Sequence, residues 1–96
     1  MPKASSRLPS DRASRYLQAM CKHFAHKVDV GYDAKRGWAA MPYGALNMHV
    51  EDDVLYFEIE AADDELLARL KYVIDAHIVR FAFRENLKQL EWNDSI

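Results

Sequence analysis

The stretch from residue 44 to residue 60, GALNMHVEDDVLYFEIE, decides the fold of this chain. Apolar and polar residues alternate through it, and the apolar members are Leu46, Met48, Val50, Leu55, Phe57 and Ile59. A period of two places successive side chains on opposite faces of a strand. The pair Asp52-Asp53 interrupts the pattern and is typical of a tight turn. The stretch therefore predicts an antiparallel hairpin with one apolar and one polar face.

The residues before this hairpin predict two further strands. Residues 28–32 alternate in the same way, and the segment Ala-Lys-Arg-Gly at 34–37 suits a hairpin turn. In the strand that follows, we expect Ala39 and Met41 to face inward. The segment Pro-Tyr-Gly at 42–44 then ends that strand, because proline and glycine interrupt regular pairing.

An amphipathic helix is predicted on each side of these strands. Ser10 is expected to cap the first helix, which should end near Lys27. Its apolar stripe consists of Ala13, Leu17, Met20, Phe24 and Val28. Asp63 is expected to cap the second helix, which should run to about Asn86. Its stripe consists of Leu66, Leu70, Val73, Ile74, His77, Ile78 and Phe81.

An α+β fold in two layers buries all of these apolar faces. We predict a four-stranded antiparallel meander with two helices on one face, in the order α-β-β-β-β-α. Residues 1–9 are polar and end in a proline, so we expect a flexible N-terminal arm, followed by a single α+β domain over residues 10–96. Leu90 and Trp92 stand two residues apart, which leaves a short C-terminal strand at a sheet edge as an option.

Composition excludes several classes of protein. The chain has 96 residues, half of them hydrophobic, which suits one core. No apolar run reaches the length of a membrane span, and the first residues lack a secretory signal, so we expect a cytoplasmic location. The single cysteine forms no internal disulfide and suits a reducing compartment.

The charge is divided unevenly along the chain. Residues 1–27 carry six Lys or Arg and one Asp, whereas the rest carries seven basic and fourteen acidic residues. Arg12, Arg15, Lys22 and His26 should form a basic side of the first helix, which makes nucleic acid one partner to consider. We expect that partner to be unlikely, because nucleic-acid binders usually concentrate far more basic charge.

The segment Cys-Lys-His-Phe-Ala-His-Lys at residues 21–27 resembles a metal motif at first sight. A helix advances ~100° per residue, so Cys21 and His23 stand ~200° apart and cannot share one ion. His23 and His26 lie on adjacent faces, but a zinc site needs three or four protein ligands. We therefore predict no dedicated metal site, no cofactor and no catalytic residue.

His77 is the more informative histidine, because it lies within an apolar stripe. One interpretation is a core histidine that satisfies its ring by a hydrogen bond to a backbone carbonyl or a strand side chain. The other is a ligand-binding cleft between the two helices, and its residues would be Tyr16, His23, His77, Arg80 and Arg84. Such a cleft suits an anion or a carboxylate-bearing ligand.

The polar face of the predicted sheet carries three candidate interface residues, Trp38, His49 and Tyr56. Aromatic residues on a face that no helix covers favour a homodimer, although scattered exposed aromatics are also ordinary. Symmetric dimers are the commonest oligomers. A homodimer through the open sheet face is therefore one expected partner.

Three segments together resemble a known bacterial family. They are SRYLQAMCKHFAHK at 14–27, DAKRGWAAMPYGALNMHVEDD at 33–53 and LKYVIDAHIVRFAFRENL at 70–87. The chain resembles the bacterial domain-of-unknown-function family 2218, with Phe24 standing where tryptophan is expected and Ala39 where a larger apolar residue is common. The resemblance implies a small protein without an established activity. It also implies an association with siderophore-interacting, flavin-dependent ferric reductases, and it supplies no catalytic residues.

These observations leave three hypotheses for the function. The first is a non-enzymatic binding or accessory module, in line with the siderophore association that the resemblance implies. The second is a metal or haem binder or a small enzyme that uses His23, His26 or His77. The third is nucleic-acid binding by the basic first helix.

Overall fold

The computed structural model describes residues 1–87 and 89–94. Its strands are β1 Lys3–Pro9, β2 Val30–Tyr32, β3 Arg36–Met41, β4 Gly44–Glu51 and β5 Val54–Glu60. A long helix, α2 Asp64–Phe81, follows β5. A helix, α1 Ala13–Phe24, separates β1 from β2, and a short 3₁₀ turn, Phe83–Glu85, follows α2.

The five strands form one antiparallel sheet in the order β1-β5-β4-β3-β2. The two helices contact each other and pack on one face of this sheet. The largest fully buried side chains lie between the two layers: Leu17, Met20, Cys21, Leu46, Leu55, Phe57, Leu70, Ile74 and Ile78. The predicted α+β fold with both helices on one side of an antiparallel sheet is therefore confirmed.

The central hairpin forms as the sequence predicts. Met48 pairs with Phe57 and Leu46 with Ile59, and all four are buried. Asp52 and Asp53 both have left-handed backbone angles, with φ of 51° and 59°. Two left-handed residues in a two-residue loop match the natural twist of a hairpin, and aspartate tolerates this conformation.

The prediction of a flexible arm over residues 1–9 is wrong. Lys3–Pro9 forms β1, an additional strand at the sheet edge beside β5. Ala4, Ser6 and Leu8 face the helices and are buried. The short side chains of Ala4 and Ser6 make this alternation weak in the sequence. The element order therefore begins with a strand, and the sheet has five strands instead of four.

The C-terminal segment does not form the strand suggested by Leu90 and Trp92. Within the described residues it makes a single bridge, between Asn93 and Ser5 at the outer edge of β1. Leu90 is buried in the core, and the Trp92 indole N–H donates to Asp75 of α2 at 3.0 Å. The segment is thus held by hydrogen bonds to both β1 and α2.

The helix ends differ in part from their predicted positions. Asp63 caps α2 as expected, since its carboxylate accepts the Leu66 N–H at 2.8 Å. Ser10 does not cap α1, which begins at Ala13 with Arg12 at the N-cap position. Helix α1 ends at Phe24, one turn before the expected end, and turns continue the chain to β2. Helix α2 also ends earlier, at Phe81.

Candidate functional site

One end of the helix layer contains a pocket of ≈ 370 Å³. The last turn of α1 and the residues after it form one wall, α2 forms a second, and the β3–β4 turn forms the third. The lining residues are His23, Phe24, His26, Lys27, Val28, Met41, Pro42, Tyr43, Val73 and His77. Most of the lining is apolar, and the polar groups are basic apart from the Tyr43 hydroxyl.

Helical geometry explains how α1 contributes to this pocket. Cys21 and Phe24 lie on the side that packs on the core, and both are buried. His23 is about 100° from Phe24 around the helix, so it is exposed at the flank. The separation of Cys21 from His23 predicted from the sequence is therefore what the structure shows.

The two helices bring His23 and His77 together. Their ring centroids lie 4.8 Å apart, with an interplanar angle of 51°. Phe24 meets His77 edge-on at 5.0 Å, and Phe81 meets His23 at 5.8 Å. The four rings form a continuous aromatic contact between α1 and α2, and three of them, His23, Phe24 and His77, line the pocket. The predicted juxtaposition of the two histidines is thus present, and their binding role stays a prediction.

His77 satisfies its ring within its own helix. Its Nδ1 lies 2.6 Å from the carbonyl oxygen of Val73, one turn earlier. A carbonyl only accepts, so Nδ1 carries the proton and Nε2 of the neutral ring keeps its lone pair. The structure thus shows the first interpretation, a ring that is hydrogen-bonded to backbone. The ring also lines the pocket, and a role in ligand binding stays a prediction.

The pocket has a basic rim. Burial lowers the pKa of His23, and the positive charges of His77, His26, Arg80 and Lys27 lower it further. No Asp or Glu is among the pocket-lining side chains in the part of the chain that the structure describes. A ligand that brings a negative charge would relieve this repulsion and favour protonation of His23.

We predict that His23 titrates below 6.5, its ordinary value, in an NMR-monitored pH titration of the folded protein. Arg80→Met should raise its midpoint by removing one of the repelling charges. Arg84→Met is the matched control, because Arg84 is not among the groups that shift His23. An equal response to both substitutions would contradict this assignment of Arg80.

The same shift has a consequence for stability. The unfolded chain takes up a proton at this position near 6.5, whereas the folded protein does so at lower pH. The unfolded state therefore binds more protons in this window, and His23 makes the protein less stable as pH falls below about 6.5.

The other three predicted ligand residues do not all belong to this pocket. Arg80 is close enough to affect His23 but does not line the cavity. Arg84 lies over the Phe83 ring at 5.6 Å. The Tyr16 hydroxyl donates to Glu85 at 2.9 Å, in a separate cluster near the start of α1. The structure therefore groups only His23, His77 and, at the margin, Arg80.

Sequence reasoning missed the third wall. Met41, Pro42 and Tyr43 were interpreted as the end of a strand and a turn, which they are. Lys27 and Val28 complete the pocket from the turn after α1. The proline and glycine around Tyr43 mark this turn in the sequence, but no local signal tells which helix end it faces.

The described residues offer little support for a metal site or for a cysteine nucleophile. Among residues 1–87 and 89–94, no group of three His, Cys, Asp or Glu side chains could hold a metal ion. Burial raises the pKa of the Cys21 thiol to about 11, which keeps it protonated and unreactive at neutral pH.

The open face of the sheet carries the three candidate interface residues. His49 and Tyr56 are cross-strand partners, and their rings stack at 4.7 Å with an angle of 12°. Trp38 is 46% exposed and lies against Gly31 of β2, where a Cβ would be 2.4 Å from the indole nitrogen. Both features put aromatic surface on this face, and a dimer through it stays a prediction.

Comparisons with known proteins agree with this small two-layer α+β fold. The chain belongs to the family described as uncharacterized protein conserved in bacteria (DUF2218), whose model matches residues 5–93. It is also similar to PA4090 from Pseudomonas aeruginosa, whose NMR structure aligns with a TM-score of 0.76 at 25% identity. That alignment covers 99% of this chain and 96% of the other. No curated protein matches the sequence. In the part of the chain that the structure describes, no helix has the length and apolarity to cross a membrane.

Proposed function

We propose that this protein is a non-enzymatic binding module for a small organic anion with an apolar body, and that the pocket between α1, α2 and the β3–β4 turn is its site. The observation that carries the proposal is the contact of His23 with His77 at 4.8 Å on an apolar cavity. Ligand sites are typically concave, mostly apolar and equipped with a few polar groups that orient the ligand.

The apolar part of the ligand would lie against the inner walls. Phe24 and Met41 are buried in the core, and Val73 and Val28 pack against it. A volume of ≈ 370 Å³ falls at the lower end of the range for small-molecule sites. These walls therefore suit a short alkyl or aryl group.

The anionic part would lie at the rim. Lys27 and Arg80 carry permanent positive charge close enough to His23 to lower its pKa. A charge-assisted hydrogen bond from a protonated histidine to a carboxylate is roughly twice as strong as a neutral one. Because protonation of His23 is disfavoured in the empty pocket, binding of an anion should be accompanied by proton uptake.

A binding role is favoured over catalysis by what surrounds the histidines. A histidine acting as a general base is commonly oriented by a carboxylate, and none lines this pocket in the described residues. The His77 Nδ1–H is instead committed to the Val73 carbonyl. The site thus offers orientation and charge without an acid–base pair.

The biological role that we propose for this binding module is an accessory one in siderophore utilisation. Its protein partner would be a siderophore-interacting reductase. The support for this role is the family association and the basic, apolar character of the pocket. A ferric siderophore is therefore one of the ligands to be titrated. The zinc alternative would need a third ligand beside His23 and His77. Nucleic-acid binding would need Arg12, which here pairs with Glu85 at 3.3 Å.

The test is a titration of the purified, untagged protein with octanoate and benzoate, followed by NMR. We expect shifts at His23, Val73 and His77, and tighter binding as pH falls below the His23 pKa. His23→Phe keeps an aromatic ring against His77 and Phe81 but removes the charged donor, so affinity should fall about tenfold, as one charge-assisted hydrogen bond implies.

The matched control is His49→Phe, which removes a histidine from the opposite face of the sheet and should leave affinity unchanged. Octanamide, which lacks the charge, should bind more weakly than octanoate. If neither anion shifts the pocket residues at millimolar concentration, or if octanamide binds equally well, the proposed ligand class is wrong.

A further inference from the structure

Helix α2 has a second apolar stripe on its outer side. The stripe consists of Ala68, Tyr72, Ala76, Val79 and Phe83. Tyr72 is 75% exposed and Phe83, in the turn that follows the helix, is 69% exposed. Exposed aromatic side chains in a continuous stripe mark an interaction surface more often than single exposed apolar residues do.

This stripe is separate from the side of α2 that builds the core. The buried residues of the helix are Leu67, Leu70, Ile74 and Ile78. At ~100° per residue, the mean directions of the two stripes differ by about 160°. The packing on the sheet therefore leaves most of the outer stripe exposed: only Val79 is half-buried, and the other four residues are exposed.

The spacing of the outer stripe keeps its members on one side of the helix. From Tyr72 to Phe83 its members follow one another at steps of four, three and four residues. These steps average about 3.7 residues, close to the 3.6 residues per turn that keep side chains on one side of a straight helix. Ala68 and Ala76 add small positions, which let a second helix approach closely.

We propose that a second copy of this chain binds on this stripe, with the two α2 helices antiparallel around a two-fold axis that passes between Asp75 and Ala76. In that register Phe83 of one copy covers Ala68 of the other, and Tyr72 lies beside Val79. Large side chains thus meet small ones on both sides of the axis. A symmetric dimer needs such a self-complementary surface, because the two-fold axis repeats every contact: if residue i of one copy meets residue j of the other, residue j of the first also meets residue i of the second.

The charges of the helix favour the same orientation. Asp64 and Glu65 lie in its first turn, and Arg80 and Arg84 lie in or just after its last turn. An antiparallel pair brings the acidic end of each helix beside the basic end of the other, with Glu65 within one turn of Arg84. The helix dipoles also oppose each other favourably in this arrangement.

The first test uses a cysteine at the axis. Ala76→Cys should form an intermolecular disulfide on mild oxidation, because the two copies of residue 76 would face each other. Ala62→Cys, at an exposed position away from α2, is the control and should stay monomeric. The native Cys21 is buried and does not interfere. Equal crosslinking of both variants would overturn the proposal.

The second test exchanges charges and is read by sedimentation equilibrium. Glu65→Arg and Arg84→Glu should each weaken the dimer roughly tenfold, because the axis doubles the modest effect of one exposed pair. Mixing the two variants should restore association, since the heterodimer has opposite charges at both contacts. A failure of the mixture to associate would contradict the antiparallel register.

The third test separates this surface from the open sheet face. Tyr72→Glu should yield a monomer, whereas Tyr56→Glu should leave the dimer intact; circular dichroism checks that both variants fold. A protein that stays monomeric up to submillimolar concentration overturns the proposal. A dimer that is lost in Tyr56→Glu and kept in Tyr72→Glu also overturns it and assigns the contact to the sheet.

Discussion

Gly44→Ala is expected to lower the free energy of unfolding by about 3 kcal/mol, at the upper end of what overpacking costs. Gly44 begins β4, directly after the two-residue connection from β3. A Cβ at this position would lie 2.1 Å from the carbonyl oxygen of Glu60 and 3.1 Å from the Ala61 Cα. Both obstacles are backbone atoms, so no side-chain rotation can make room.

The backbone at Glu60 has little freedom to move away. Glu60 pairs with Ala45 on one side and with Lys3 on the other, and the Ala61 N–H donates to the Pro2 carbonyl at 3.1 Å. A displacement of β5 here would disturb its pairing with both neighbouring strands. The pocket wall at Tyr43 should move as well, because Tyr43 directly precedes Gly44.

The measurement is urea unfolding of Gly44→Ala beside Ala45→Ser. Ala45 is the next residue of β4 and is exposed, so its substitution should change stability by less than about 0.5 kcal/mol. If Gly44→Ala proves as mild as its neighbour, the close approach of β4 to Glu60 is wrong.

Glu85→Ala is expected to lower the free energy of unfolding by about 2 kcal/mol, since it leaves the buried hydroxyl of Tyr16 unsatisfied. One carboxylate oxygen of Glu85 accepts from Ser10 at 2.7 Å, Tyr16 at 2.9 Å and Arg12 at 3.3 Å. Tyr16 is only 4% exposed, so its hydroxyl would have no ready access to water. The cluster joins the start of α1 to the turn after α2.

A double-mutant cycle with Tyr16→Phe checks this cause. Removing the hydroxyl together with the carboxylate should cost less than the sum of the two single changes, because no buried donor is then left unpaired. Strict additivity would contradict the proposed contact. Thr substitution at Ser10 is a mild control, since threonine keeps a hydroxyl that can donate to Glu85.

The cluster also predicts a dependence on pH. The hydrogen bond from Ser10, then that from Tyr16 and the charge of Arg12, lower the pKa of Glu85 below 4.5, its value in the unfolded chain. The contribution of Glu85 is therefore complete above about 4.5 and is lost as pH falls through the folded-state pKa. Glu85→Gln should show a smaller loss of stability in this acidic range than the parent protein does.

The strands and helices with strong periodicity were predictable from the sequence. The hairpin of β4 and β5, its Asp52-Asp53 turn and the Asp63 cap depend on neighbouring residues alone. The outward direction of Trp38 likewise follows from alternation along β3. In each case the local sequence pattern and the tertiary packing favour the same conformation.

The first strand was not predictable in this way. Lys3–Pro9 has two small residues at its inward positions, and its conformation depends on the free edge that β5 offers. The cluster of Ser10, Arg12 and Tyr16 around Glu85 was not predictable either, because Glu85 lies far from the other three residues along the chain. Tyr16 was assigned to the wrong cluster for this reason.

The sequence by itself determined the two layers, the apolar faces and the separation of Cys21 from His23, because these follow from periods of 2 and 3.6 residues. Only the tertiary structure decided that His23 and His77 touch, that the β3–β4 turn completes a pocket beside them, and that Tyr72 and Phe83 are exposed. The physical reason is that periodicity specifies which face of each element is buried. It does not specify the position along that face at which two distant elements meet.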